Sequence, residues 1–230
     1  MKPFTQQDVQ IPSGSATLWG DLCVPARAPG VVLFAHGSGS SRSSPRNVFV
    51  AQVLQQAGLA TLLFDLLTPQ EERVDLHTRE YRFDIGLLTR RLYDATRWLE
   101  TQPALHRLAV GYFGASTGSA AALAAAAQLG DRIAAVVSRG GRPDLVAAPQ
   151  LARVSAAVLL LVGGNDEDVL ELNRQAFQDL AGEKQLAVVA GASHLFEEPG
   201  AIEEVARLAA AWFSGHLRPE SADPSSLEAA

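Results

Sequence analysis

Three residues, far apart in the chain, have the types and settings that acyl transfer requires. Ser116 sits in Gly114-Ala115-Ser116-Thr117-Gly118, a G-x-S-x-G pattern. A serine hydroxyl attacks a carbonyl only when a base takes its proton, and the base needs a partner to hold its ring in one orientation. Asp166, in "VLLLVGGNDEDV", and His194, in "LAVVAGASHLFEEPG", follow the serine in the order Ser, Asp, His. Both leave an apolar run at a turn, so both can return to the sheet edge that carries the serine. Glu167 and Asp168 compete with Asp166 as the acid; Asp166 is preferred because it comes first after the Gly163-Gly164 turn. Of the five histidines only His36 and His194 follow an apolar strand-like run, and His36 precedes Ser116. The plainer alternatives are a serine that caps a helix and an exposed loop histidine.

Acyl transfer also builds negative charge on the carbonyl oxygen, and backbone N–H groups usually receive it. The residue after the nucleophile supplies one donor, here Thr117. The loop "HGSGSSRSSPRN" supplies the other, with Ser38 the best candidate and Gly37 and Gly39 close behind. The loop is not a P-loop, since no Gly-Lys-Ser/Thr follows. Arginines stand at two neighbouring turns. Arg139 and Arg142 in "SRGGRPDL" could hold a substrate carboxylate or phosphate, or could pair with a structural carboxylate and order their loop. Arg42 and Arg46 beside the anion loop have the same two options, and Arg46 at a helix start opposes the helix dipole, which points to some other contact.

These residues need rigid elements to bring them together. Val31–Ala35, Leu59–Phe64, Leu108–Phe113, Ala134–Ser138, Val158–Val162 and Leu186–Val189 are short, apolar and almost free of charge, as strands buried on both faces must be. Amphipathic stretches alternate with them: Val48–Ala57, Ile85–Leu99, Ser119–Leu129, Val169–Leu180 and Ile202–Leu217. Strand–helix alternation predicts a parallel sheet with crossover helices. Asp8–Ile11 and Thr17–Val24, around "PSGSA", predict an antiparallel hairpin at the sheet edge. Asp65–Asp84 shows no periodicity and predicts a long irregular connection at the carboxyl end of the sheet, where ligands bind in open α/β folds. Residues 1–217 are expected to form one domain, and 218–230, polar and proline-containing, a disordered tail.

Composition narrows the partners. The 230 residues carry a formal charge of −6 and a pI near 5.4, which disfavours a nucleic-acid partner. Cys23 is the lone cysteine, so no internal disulfide can form. Neither a secretory signal nor a membrane-spanning apolar run is visible, and a cytoplasmic location is expected. No cofactor and no metal are expected. The expected partner is a small-molecule ester, with the chain a monomer or a homodimer.

Taken together, "HGSGSSRSSPRN", "LLFDLLTPQE", "GYFGASTGSAAAL", "VSRGGRPDL", "LLVGGNDEDVLELN" and "GASHLFEEPG" resemble the dienelactone hydrolase-like group of α/β-hydrolases, from Val9 to about Leu217. The resemblance implies an α/β-hydrolase fold: a mostly parallel sheet of about eight strands, helices on both faces and no separate cap domain. It implies a serine hydrolase with a Ser116–His194–Asp166 triad acting on small carboxylic esters; lactones, thioesters, phosphotriesters or a silent binding module are the alternatives. Relatives with such segments occur alone or fused to phosphoribosyltransferase domains, and no such domain is expected here. Dienelactone hydrolases proper use a cysteine nucleophile, whereas this chain has Ser116 and keeps Cys23 far upstream.

Overall fold

The computed structural model describes residues 4–218; the predicted tail at 219–230 lies outside the described residues. The charge-free runs become the parallel strands β3 (Gly30–Ala35), β4 (Ala60–Phe64), β5 (Ala109–Ala115), β6 (Ile133–Arg139), β7 (Ala157–Gly163) and β8 (Lys184–Val189). Alternate side chains of each enter opposite layers. In β3, Val31, Leu33 and Ala35 join one apolar cluster, and Val32 and Phe34 join the other. Such strands find full burial only between two helical layers. The hairpin of β1 (Phe4–Ser13) and β2 (Ala16–Pro25) adds an antiparallel edge through β2–β4 pairing. The order is β1-β2-β4-β3-β5-β6-β7-β8, with β5 near the middle.

Helices α1 (Pro45–Gln56) and α7 (Ala201–His216) cover one face, while α3 (Ile85–Glu100), α4 (Thr117–Leu129), the short α5 (Ala148–Leu151) and α6 (Glu167–Asp179) cover the other. This is the doubly wound arrangement of an α/β-hydrolase fold, with no separate cap. Between β4 and α3 the expected irregular connection is corrected. Pro69–Thr78 forms a helix, α2. Its only buried residue is Asp75, so no apolar period marks it. The helix is instead set by its ends. Thr68 accepts a bond from the Glu71 amide at 3.2 Å, the Glu71 carboxylate returns one to the Thr68 amide at 2.7 Å, and Pro69 occupies the first turn. Among the described residues no helix is long and apolar enough to cross a membrane.

Candidate active site

The turn from β5 into α4 holds Ser116 at φ 50°, ψ −120°. L-residues avoid this region, and the surroundings must enforce it. Two glycines permit the enforcement. A Cβ on Gly118 would collide with the carbonyl oxygens of Ala35 and His36, and one on Gly114 with the backbone of Ser119. Without those side chains, α4 presses against the ends of β3 and β5. The Ser116 amide donates to the Arg139 carbonyl at 3.1 Å. Its own carbonyl accepts from the Ser119 hydroxyl at 2.8 Å and from the Arg142 amide at 3.3 Å. The nucleophile candidate is therefore clamped on both sides by backbone.

Asp166 and His194 come together where β7 and β8 end. His194 Nδ1 lies 2.6 Å from Asp166 Oδ2. A carboxylate only accepts, so Nδ1 carries the hydrogen and the Nε2 lone pair is left free. Glu167 and Asp168 instead occupy the first turn of α6, where their charge suits the helix dipole. His194 approaches the elbow through Gly140: a Cβ there would stand 3.5 Å from His194 Cε1, and the preceding carbonyl, of Arg139, binds the Ser116 amide. No hydrogen bond joins Ser116 Oγ to His194 in this structure. Unliganded sites often hold this contact open until substrate arrives.

The anion loop is fastened from below by His36. Its Nδ1 donates to the Gly37 carbonyl at 3.0 Å, and its Nε2 accepts the Leu66 amide at 3.0 Å. Burial holds the ring well below the usual histidine range and keeps it neutral, as this pair of bonds demands. Gly37 then runs against the elbow, where a Cβ would stand 3.2 Å from Ser116 Cβ. Ser38 follows and is exposed. Thr117 opens α4, so its N–H is one of the helix-start donors that have no partner within the helix. Asp65 braces the same loop by accepting the Arg42 amide at 2.8 Å, and the Arg42 side chain lies 3.5 Å from Asp21 and 3.7 Å from Asp65. A cleft of about 60 Å³ opens beside Ser38 and Thr117, with Leu66, Leu76, Arg82 and Leu88 in its walls.

The structure gives each arginine a definite place. Arg142 forms a two-pronged pair with Asp144, at 2.8 and 2.7 Å, and works on the elbow through its backbone. Arg46 meets Glu197 at 3.0 Å, the outside contact that its place at a helix start demanded. Arg139 is 8% exposed and lies over the Phe196 ring, 5.7 Å from its centroid. Burial, and after it the charge of Arg46, lower its pKa to about 10.

Two supports escaped the reading of the sequence. Asn173, fully buried on α6, donates to the Gly141 carbonyl at 3.0 Å and ties the acid's helix to the elbow loop. Glu198 accepts the Ser193 amide at 3.0 Å and shapes the turn that carries His194. A lone Asn on an amphipathic helix carries no signal of such a bond. The Glu four residues after His194 was legible only as a turn residue. Among the described residues, no group of three or more His, Cys, Asp or Glu side chains is gathered as metal ligands would be.

Known proteins share this architecture. Two curated relatives, from two strains of Mycobacterium tuberculosis and each named a putative phosphoribosyl transferase, are 57% identical over 215 residues, which is 94% of this chain and 47% of theirs. The chain thus spans about half the length of the curated relatives it matches. The crystal structure of a dienelactone hydrolase from Anabaena variabilis is 56% identical, covers 94% of this chain and 99% of its own, and superposes with a TM-score of 0.91. An esterase from Pyrococcus furiosus, 17% identical over 93% of this chain and 92% of its own, shares the fold at a TM-score of 0.73. The dienelactone hydrolase family model matches residues 20–215, and with it the elbow, the acid loop and the histidine turn described above, so the chain belongs to the dienelactone hydrolase family of hydrolases.

Proposed function

We propose that the protein is a serine hydrolase that cleaves small carboxylic esters through an acyl-enzyme. The observation that carries this reading is the 2.6 Å bond between Asp166 and His194 Nδ1. That bond leaves Nε2 as a base on the side of the elbow, where Ser116 is held in a conformation the backbone would not choose. His194 Nε2 takes the Ser116 proton as Oγ attacks the ester carbonyl carbon. The oxyanion is received by the amides of Thr117 and Ser38, and the positive end of α4 adds to the attraction. Collapse breaks the carbon–oxygen bond to the alcohol, which leaves with the proton from imidazolium. Water then attacks the acyl-serine by the same route in reverse roles. Asp166 holds the ring and stabilises its charged form throughout. Lactones, being cyclic esters, enter by the same chemistry. The phosphoribosyl transfer named for the two longer relatives belongs, in this reading, to the part of their length that this chain does not match.

The test is covalent labelling with a fluorophosphonate, mapped by mass spectrometry, beside turnover of p-nitrophenyl acetate. The expected result is a single adduct on Ser116, with Ser116→Ala losing both the adduct and about five orders of magnitude of turnover. An adduct elsewhere, or undiminished turnover in the variant, would overturn the assignment.

A further inference from the structure

The sheet edge beyond Ser116 holds a charge that the proposed triad does not use. Arg139 ends β6 with 8% of its surface exposed, and among the described residues its Nε and Nη1 have no acceptor. A guanidinium taken out of water without a counter-charge is among the costliest arrangements a protein can hold. Every carboxylate nearby is already committed: Glu197 to Arg46, Glu198 to the Ser193 amide, Asp166 to His194 and Asp144 to Arg142. Arg46 has a buried Nε that also lacks an acceptor, and it lies close enough for its charge to act on Arg139. Helix α1 begins at Pro45 with no acidic residue in its first turn, so its dipole adds a third contribution of the same sign. The Phe196 ring face offsets only part of this charge.

Position connects the charge to the chemistry. The Arg139 carbonyl binds the Ser116 amide, and the next residue, Gly140, borders His194. In the sheet, β6 lies on one side of β5, and β3 and β4 on the other. The Ser38 cleft and the Arg139 side chain therefore flank Ser116 from opposite sides.

We propose that Arg139, assisted by Arg46, binds an anionic group of the substrate, a carboxylate or a phosphate, on the side of Ser116 away from the Ser38 cleft. The inference rests on the serine esterase reading above and narrows it to esters that carry a compact anion. Arg139 is then a binding residue whose missing partner arrives with the substrate.

Three p-nitrophenyl esters of matched shape test it: 4-methylpentanoate, which is neutral, hemisuccinate, which ends in a carboxylate, and 3-phosphonopropanoate. The expected result is that kcat/KM for at least one charged ester exceeds that for the neutral one by about tenfold or more. Arg139→Gln should cut that ratio at least tenfold, chiefly through KM, and Arg139→Lys should restore part of it. The better of the two charged esters identifies the anion. A wild-type preference for the neutral ester, or a ratio unmoved by Arg139→Gln, overturns the proposal. Binding without turnover is read separately in Ser116→Ala, as the rise in melting temperature with succinate or inorganic phosphate over sodium chloride of equal ionic strength. Loss of that rise in the double variant supports the site. No rise beyond the chloride control overturns it, even if Arg139→Gln alone fails to fold. Should Ser116→Ala keep its ester turnover while the anion still raises its melting temperature, the nucleophile assignment fails and the anion site stands.

Discussion

Helices α4 and α2 both border the candidate site, and they are held in opposite ways. In α4, every residue from Thr117 to Ala127 is buried, and the run is mostly alanine. Small side chains let it press against β3 and β5 until only glycine fits at 114 and 118. In α2, one residue of ten is buried, and it is an aspartate. Polar tethers hold that helix. The Asp75 carboxylate accepts the amides of Tyr81 and Arg82, both at 2.9 Å, and pairs with the Arg82 guanidinium, while Glu71 meets Arg91 at 2.7 Å. Leu76 stays 66% exposed on its outer surface. Close packing places the atoms that must not move, and directional bonds carry the wall that substrate passes.

Breaking the rigid side should have the larger consequences. Asp166→Asn should remove about four orders of magnitude from ester turnover, because the wrong ring nitrogen then carries the hydrogen. Asp168→Asn, on the first turn of α6, should stay within about threefold, as surface substitutions usually do. Comparison of kcat for the two variants checks the choice of acid, and a reversal would move the triad. Gly118→Ala should cost about 3 kcal/mol or more in urea unfolding, since the added methyl meets two carbonyl oxygens that cannot yield. A variant as stable as the wild type would mean that α4 is not clamped as described.

The tethered side should give way more gently. Asp75→Ala should cost about 1–3 kcal/mol by leaving the Arg82 guanidinium and two amides without their acceptor. Amide exchange should quicken across Pro69–Thr78 and stay slow across β5 and α4; equal acceleration in both would erase the contrast. Acid should loosen two supports at different points. Burial lowers the His36 pKa, so its contribution is full above the unfolded value of about 6.5 and is lost as pH falls toward the lower folded value. For Asp75, burial raises the pKa, but bonds from the Arg82 amide and guanidinium, then from Tyr81, outweigh it and leave a net lowering. Its contribution therefore persists below the His36 window and fades only beneath about pH 4. Melting curves between pH 7 and 3 should show the two losses in that order, and His36→Asn should remove the first. The smallest expected effect is on acyl length. A buried methylene is worth about 0.8 kcal/mol, and an open site with a 60 Å³ cleft buries few, so kcat/KM on p-nitrophenyl esters should peak at short chains. A maximum at long chains would show α2 closing over a deeper tunnel.

Much of this was legible because burial writes itself into composition. The parallel strands announced themselves as charge-free runs, and the glycines at 114 and 118 marked a turn too tight for side chains. The contrast with α2 explains what was hidden. A helix that buries only Asp75 has no apolar rhythm, and its true signal was the local Thr68-Pro69-Gln70-Glu71 cap. Partnerships across the fold were hidden for a different reason. That Asn173 reaches Gly141, or that Glu197 takes Arg46 and leaves Arg139 alone, depends on distances between elements that no spacing along the chain encodes.

The backbone at Ser116 carries one more consequence. A residue held at φ 50°, ψ −120° is tolerated most cheaply as glycine, which visits positive φ without steric cost. Selection for heat resistance alone would favour glycine at 116, and selection for turnover alone would forbid it. Ser116→Gly should therefore melt higher and hydrolyse nothing, which would make this position the point where the protein trades durability for reactivity.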